Sequence, residues 1–270
     1  MSTVRRQPAA TINSLVRELP EGLVVPSTWL TNRGYSRQSL HKYVAGNWLV
    51  REGHGAYRRP GPQPTWEQRV YSLQLAQKPP GHVGGYSALW MHGLAHYAAA
   101  SEPEEIWFYT ASELPSWARN EQAHTTLARF PLTLFDGLTP TRTKARTDDA
   151  VTERPWGPRK WLLRVSTPER AVLEMLDEVP TRITLDHVWD LFTGMTSLSP
   201  KRVQMLLEHC ARVQVKRLFL ALAERQSHAW FTRLDLKKIN LGSGKRVLAR
   251  GGQLDPKYLI TLPESWRAVR

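Results

Sequence analysis

The chain has 270 residues, of which 41% are apolar and 23% charged, and 37 Lys and Arg against 24 Asp and Glu leave it at +13. That balance excludes extended disorder, and the lack of any run of about 18 apolar residues excludes a membrane-spanning helix. One cysteine, Cys210, excludes intrachain disulfides and multi-cysteine zinc sites.

The excess charge is uneven along the chain. Residues 1–66 carry a net +6, residues 67–150 a net −2 and residues 151–270 a net +9. A basic surplus of this size points to a polyanionic partner, nucleic acid first of all, although a basic surface can also serve solubility alone. The opening stretch MSTVRRQPAATINSLVREL has no apolar segment after its basic residues, so the expected location is the cytoplasm.

In chain order, Ile12, Leu15, Val16 and Leu19 fall on one helical face. PEGLVV breaks it. Pro26 opens a short helix, PSTWLTNRG, that Gly34 stops. Ser36 is an N-cap for a third helix, SRQSLHKYVAGN, buried through Leu40, Tyr43 and Val44 and ended by Gly46 or Asn47. Trp48–Arg51 and Ala56–Arg59 read as strands joined by a tight EGHG turn. Three short helices and a basic hairpin are the parts of a winged helix-turn-helix. Pro60, Gly61, Pro62 and Pro64 mark a boundary, which places the first domain at 1–64 and a larger mixed domain at 65–270.

In the second part, 65–78 reads as an amphipathic helix, 79–85 (PPGHVGG) as a break and 86–97 as a short apolar helix. Residues 104–110, 127–135 and 161–166 read as strands, and 136–160 as a long loop or hairpin. Helices follow from Thr167 as cap and Pro168 at the first position, then over 184–195, 199–212 and 214–226. The tail returns to short extended segments. The expected class is α+β: an N-terminal winged helix-turn-helix and a larger mixed α/β C-terminal domain.

Recognition helices bury one face and turn polar donors toward base edges. Arg37, Gln38, His41 and Lys42 lie on or near the face opposite Leu40 and Val44, next to the cap Ser36. The hairpin offers Arg51, His54, Arg58 and Arg59 to phosphates or a minor groove, and Ser27 and Thr28 offer hydroxyl and N–H donors. The competing explanation is a helical subdomain that contacts protein.

Residues 199–250 hold twelve basic and three acidic residues. Lys201, Arg202, Arg212, Lys216, Arg217, Lys237 and Lys238, with Arg225 and Arg233, are too poor in acidic neighbours for i, i+4 pairing to explain them. With Lys245 and Arg246 they are expected to make a second basic surface for the same DNA or for an RNA; the plain alternative is a solvated face.

Other motifs carry less. GSGKR at 242–246 lacks the first glycine of a phosphate loop, where Ile239 stands, and Arg246 replaces its hydroxyl residue. A basic turn that touches a phosphate backbone is the better reading. His92 and His96 have metal-helix spacing but no third ligand. Asp148 with Asp149, and Glu104 with Glu105, are adjacent pairs that make no acid–base dyad. Cys210 reads as a buried structural residue. The chain is therefore read as no enzyme, with no metal and no cofactor. A winged-helix-targeted nuclease or nucleotidyl-transfer enzyme would have to draw on Glu104, Glu105, Asp136, Asp148 and Asp149. A plain transcriptional regulator is the third reading.

Four strings taken together carry a resemblance. WLVREGHGAYRRPG, GYSALWMHGL, STPERAVLEML and LGSGKRVLARGGQLDPKYLITLP resemble, in order, segments of AbiEi-type antitoxins, from the N-terminal wing to the C-terminal signature. The resemblance implies the antitoxin of a type IV toxin–antitoxin pair linked to abortive phage infection. It implies an N-terminal winged helix-turn-helix that represses the pair's own promoter at inverted repeats in double-stranded DNA. It also implies a C-terminal domain that opposes a nucleotidyltransferase-like toxin without need of a stable complex.

Overall fold

The computed structural model describes residues 11–95, 103–119, 123–138 and 150–266. The first helix, α1 (Ile12–Glu18), starts at Thr11, whose side chain and Ser14 cap each other's backbone N–H. Strand β1 (Val25–Pro26) leads into α2 (Ser27–Thr31), and a turn leads to α3 (Arg37–Ala45). Ser36 Oγ accepts the Ser39 N–H at 3.1 Å, and Gly46 closes the helix. Such a cap is worth about 1 kcal/mol, enough to fix where a nine-residue helix begins.

Strands β2 (Val50–Arg51) and β3 (Ala56–Arg58) form the hairpin, with Val50 opposite Arg58 and Arg51 opposite Tyr57. β1 pairs with the other edge of β3, which makes a three-stranded antiparallel sheet in the order β1-β3-β2. The sequence reading gave no strand at Val25–Pro26. Two residues ending in proline carry no strand signal by themselves, and the pairing is made by β3. Leu15, Leu19, Leu23, Val25, Leu30, Tyr35, Leu40, Leu49 and Tyr57 form one buried cluster under these elements. This is the winged helix-turn-helix.

Helix α4 (Trp66–Ala76) begins at Thr65 and joins this unit to the rest. Ser72 Oγ accepts the Val24 N–H at 2.9 Å, and the Tyr71 and Trp161 rings lie 4.8 Å apart between the two clusters. The body is built on a five-stranded sheet in the order β6-β5-β4-β8-β7: β4 (His82–Val83), β5 (Glu105–Tyr109), β6 (Thr126–Phe130), β7 (Val151–Trp156) and β8 (Trp161–Ser166). β4 runs antiparallel to β5 and parallel to β8. β5 and β6 are parallel, and β7 and β8 are antiparallel.

The middle strand, β4, lies inside the PPGHVGG segment that the sequence reading took as a break. Its glycines explain the disguise. A Cβ at Gly84 would stand 2.3 Å from Glu174 Oε2, and one at Gly85 (φ +52°) would stand 2.4 Å from the Trp107 ring. Glycine lets β4 and the start of α5 (Gly85–Met91) press against their neighbours, at the expense of any strand-like composition.

Short α6 (Ser116–Arg119) sits between β5 and β6 in the chain. The remaining helices are α7 (Pro168–Asp177), α8 (Leu185–Thr193), α9 (Pro200–His209) and α10 (Val213–Arg225). Residues Val215–Ala223 of α10 are all buried, as are Glu169–Leu176 of α7, so both helices run through the core. A small sheet β10-β11-β9 from Arg246–Val247 (β9), Gln253–Asp255 (β10) and Ile260–Leu262 (β11) closes the chain.

At the centre, Glu174 is fully buried. Its carboxylate accepts from Arg170 Nε (2.7 Å), Ser166 Oγ (2.7 Å), the Gly85 N–H (3.0 Å) and His82 Nε2 (3.0 Å). Burial alone would raise the pKa, but these donors reverse that and hold the carboxyl at about 2. Burial pushes the His82 pKa down, while the Glu174 carboxylate beside it pulls it back up. One carboxylate thus ties β4, α5, β8 and α7 together.

Candidate nucleic-acid interface

The outer face of α3 is polar and open. Arg37, Gln38, His41 and Lys42 are all exposed, while Leu40 beneath them is 2% exposed. Among the described residues no carboxylate pairs with Arg37 or Lys42, so neither cation is committed within the fold. Beside α3, the wing carries exposed Arg51, whose guanidinium lies 5.9 Å from the Tyr57 ring centroid, and exposed His54 at its turn. These groups make one surface of free donors on a rigid base, which is what groove contacts and phosphate contacts require.

The structure corrects part of the hairpin reading. Arg58 is only 6% exposed. Its Nε donates to Glu52 across the turn, and its Nη1 donates to the carbonyls of Arg59 and Gly61, both at 3.0 Å. The register that sets Arg58 on the inner side leaves it no reach to an outside phosphate; it fastens the wing. Arg59 is half-buried and turns toward the Val16 carbonyl. Ser27 gives its N–H to the Gly55 carbonyl at 2.7 Å, so that donor holds the wing against α2, while Thr28 and Ser36 remain exposed.

Two residues escaped the sequence reading. Arg33 is exposed and stacks at 3.5 Å over Trp29, four residues earlier, a spacing that could have revealed the pair. Trp48, 52% exposed, stands just past the end of α3. Toward the body, a Cβ at Gly53 on the wing turn would come within 3.0 Å of Ser116 Oγ at the start of α6. Buried Arg69 of α4 in turn donates to the carbonyls of Ala118 and Thr125, which holds α6 in place.

The second set of basic residues is not one surface. Arg217 is 1% exposed and donates to the carbonyls of Leu241, Gly242, Gly244 and Leu259. Lys216 is 5% exposed. Both lie on the core-facing helix α10, and neither belongs to an outer face. Arg202 pairs with Glu169 at 2.9 Å, Arg212 lies 3.8 Å from Asp177, and Lys238 lies 3.7 Å from Asp235. Lys201, Arg233, Lys237 and Lys245 are exposed, and Arg246 is partly so. Arg225 is bound to the Trp266 carbonyl and Asp255.

The groups considered for chemistry are scattered. Glu105 pairs with Arg182 at 2.7 Å, Glu104 and Asp136 are exposed, and Asp148 and Asp149 lie outside the described residues. Among the described residues, no three His, Cys, Asp or Glu side chains gather as a metal site. His92 is held by the Ser166 carbonyl and Arg154, both at 2.8 Å, and His96 lies outside the described residues. Burial pushes the Cys210 thiol up to about 11, where it is no nucleophile. None of the described helices is long and apolar enough to cross a membrane.

Family comparison decides the assignment. The model described as transcriptional regulator, AbiEi antitoxin, Type IV TA system matches residues 103–263, and that of the AbiEi antitoxin N-terminal domain matches residues 9–100. The chain belongs to the AbiEi antitoxin family. The AbiEi N-terminal match takes in α4, β4 and α5 as well as the winged helix, so it ends within the segments that build the five-stranded sheet. The fold is similar to the crystal structure of the RV2827C protein from Mycobacterium tuberculosis, with a TM-score of 0.54 at 18% identity over 92% of this chain and 88% of that one. No curated protein matches.

Proposed function

We propose that this AbiEi-family chain binds operator DNA through its winged helix-turn-helix and represses its own operon. The observation that carries this is the exposed, uncommitted donor face Arg37, Gln38, His41 and Lys42 beside Arg51 and His54. α3 enters a major groove, where Arg37 and Gln38 read bases. Arg51, Lys42 and Thr28 hold phosphates, with Arg33 as an added candidate. Inverted repeats match two copies related by a two-fold axis. The body opposes the effect of a partner nucleotidyltransferase-like toxin and catalyses nothing itself. Residues 1–64 act as the DNA-binding domain and 65–270 as the antitoxin domain, a division supported by the two separate buried clusters.

The test is a salt-titrated gel shift with the full chain, on DNA from upstream of its own gene and on a random duplex. Preference for the upstream DNA, lost with Arg37→Ala or Gln38→Ala, is the expected result. Equal, salt-sensitive binding to both duplexes would overturn autorepression and leave a general polyanion surface.

A further inference from the structure

A cleft of about 430 Å³ opens between the end of α7 and the start of α10 and is walled on its far side by Arg246 of β9. Arg212 and Arg246 reach it from segments far apart in sequence. Among the described residues no carboxylate pairs with Arg246, whose Nη1 donates only to the neighbouring Lys245 carbonyl. Leu176, Val213 and Val215 give the cleft apolar wall.

We propose that this cleft binds the phosphate of a small phosphorylated molecule. Three observations converge. First, Arg212 and Arg246 bring two guanidiniums to one cleft from separate parts of the chain. An anion placed between them is attracted by both charges. Second, the site is prebuilt. The four carbonyls held by Arg217 fix residues 241–244 and Leu259, so the segment that presents Arg246 needs no ordering when a ligand arrives. Third, α10 begins at Arg212 without a side-chain cap, and its first residues line the same cleft, so their N–H groups add to the anion's donors.

Asp177 is the one carboxylate in the wall, 3.8 Å from Arg212, and it opposes an anion. Burial raises its pKa, and the neighbouring Arg212 charge counters that rise. The volume exceeds a phosphate group, and the apolar wall fits a compact organic remainder. A nucleic-acid backbone would meet a row of exposed cations instead. This inference stands apart from the reading of operator DNA.

Isothermal titration of the full chain at constant ionic strength tests it, with inorganic phosphate and glycerol phosphate as probes and chloride as control. Saturable one-to-one uptake is expected. Arg246→Ala should weaken it by about tenfold or more, the loss expected for a charge-assisted contact. Arg246→Lys should keep part of the affinity, Asp177→Asn should strengthen it, and Lys245→Ala should leave it unchanged. The circular dichroism spectrum of each variant checks the fold. No saturable uptake by the wild type, or equal uptake by the folded Arg246→Ala and Arg212→Ala variants, would overturn the proposal. Displacement of phosphate by a random duplex would overturn it too, in favour of a nucleic-acid backbone.

Discussion

The winged helix and the body behind it use the same side chain in opposite ways. On α3 and the wing, Arg37 and Arg51 stand in solvent with no carboxylate partner. In the body, Arg69, Arg170 and Arg217 are buried, and each is spent on carbonyls or on Glu174. One group of guanidiniums is available to an outside anion, while the other holds loops and helices together. A net charge of +13 therefore overstates the surface the chain offers to a polyanion, and the overstatement lies mostly in the second half.

The contrast breaks most visibly at Arg217. Arg217→Ala leaves four carbonyls of the C-terminal segment without their donor, and a loss of about 1–3 kcal/mol is expected in urea unfolding, as for acceptors left unpaired. A neutral result would mean that the body's arginines are not structural. Glu174 sharpens the same side through pH. Its folded pKa of about 2 lies below the ordinary 4.5, so its stabilisation is complete above about 4.5 and drains away as pH falls toward 2. Unfolding midpoints should drop over that window, and Glu174→Gln should lower stability at neutral pH while flattening the drop.

Smaller effects separate the two roles within the winged helix. Arg58→Ala should cost about 1–3 kcal/mol of stability because Glu52 is left half-buried without its partner. Its salt dependence of DNA binding should stay at the wild-type slope. Arg37→Ala should do the reverse, with unchanged unfolding and about 1–3 kcal/mol lost on operator DNA against much less on a random duplex. Arg51→Ala should show the smallest change: a salt slope reduced by about one phosphate contact, read from gel shifts between low and moderate salt. If Arg58→Ala and Arg51→Ala behaved alike, the inner and outer sides of the hairpin would not be distinct.

The helices were legible where a cap and a periodic face coincided. Ser36 before α3 and Thr167-Pro168 before α7 mark starts that the structure keeps. Among the strands that failed to show, β1 and β4 are two residues each and exist because longer partners pair with them, β7 lies wholly within the segment read as a long loop or hairpin, and β10 lies between the two extended tail segments. Charge identifies basic residues but not their direction. The inward turn of Arg58 depends on hairpin register, and that of Arg217 on a loop some 25 residues away, reached through its bond to Gly242. The exposed set on α3 was readable because a helix with Leu40 beneath turns Gln38 and Lys42, about 200° away, outward, while Arg37, on the Leu40 side, is exposed at the first position of the helix.

The close approach of Gly53 to Ser116 has a mechanical consequence. A wing in many such folds is a free arm, but here its turn lies so near α6 that a side chain at Gly53 would crowd Ser116, and Arg69 holds α6 to α4. The turn that carries His54 is therefore a propped beam whose footing belongs to the body. Under the proposed operator binding, DNA beneath the wing and the placing of α6 would be linked, each acting on the other with the same free energy.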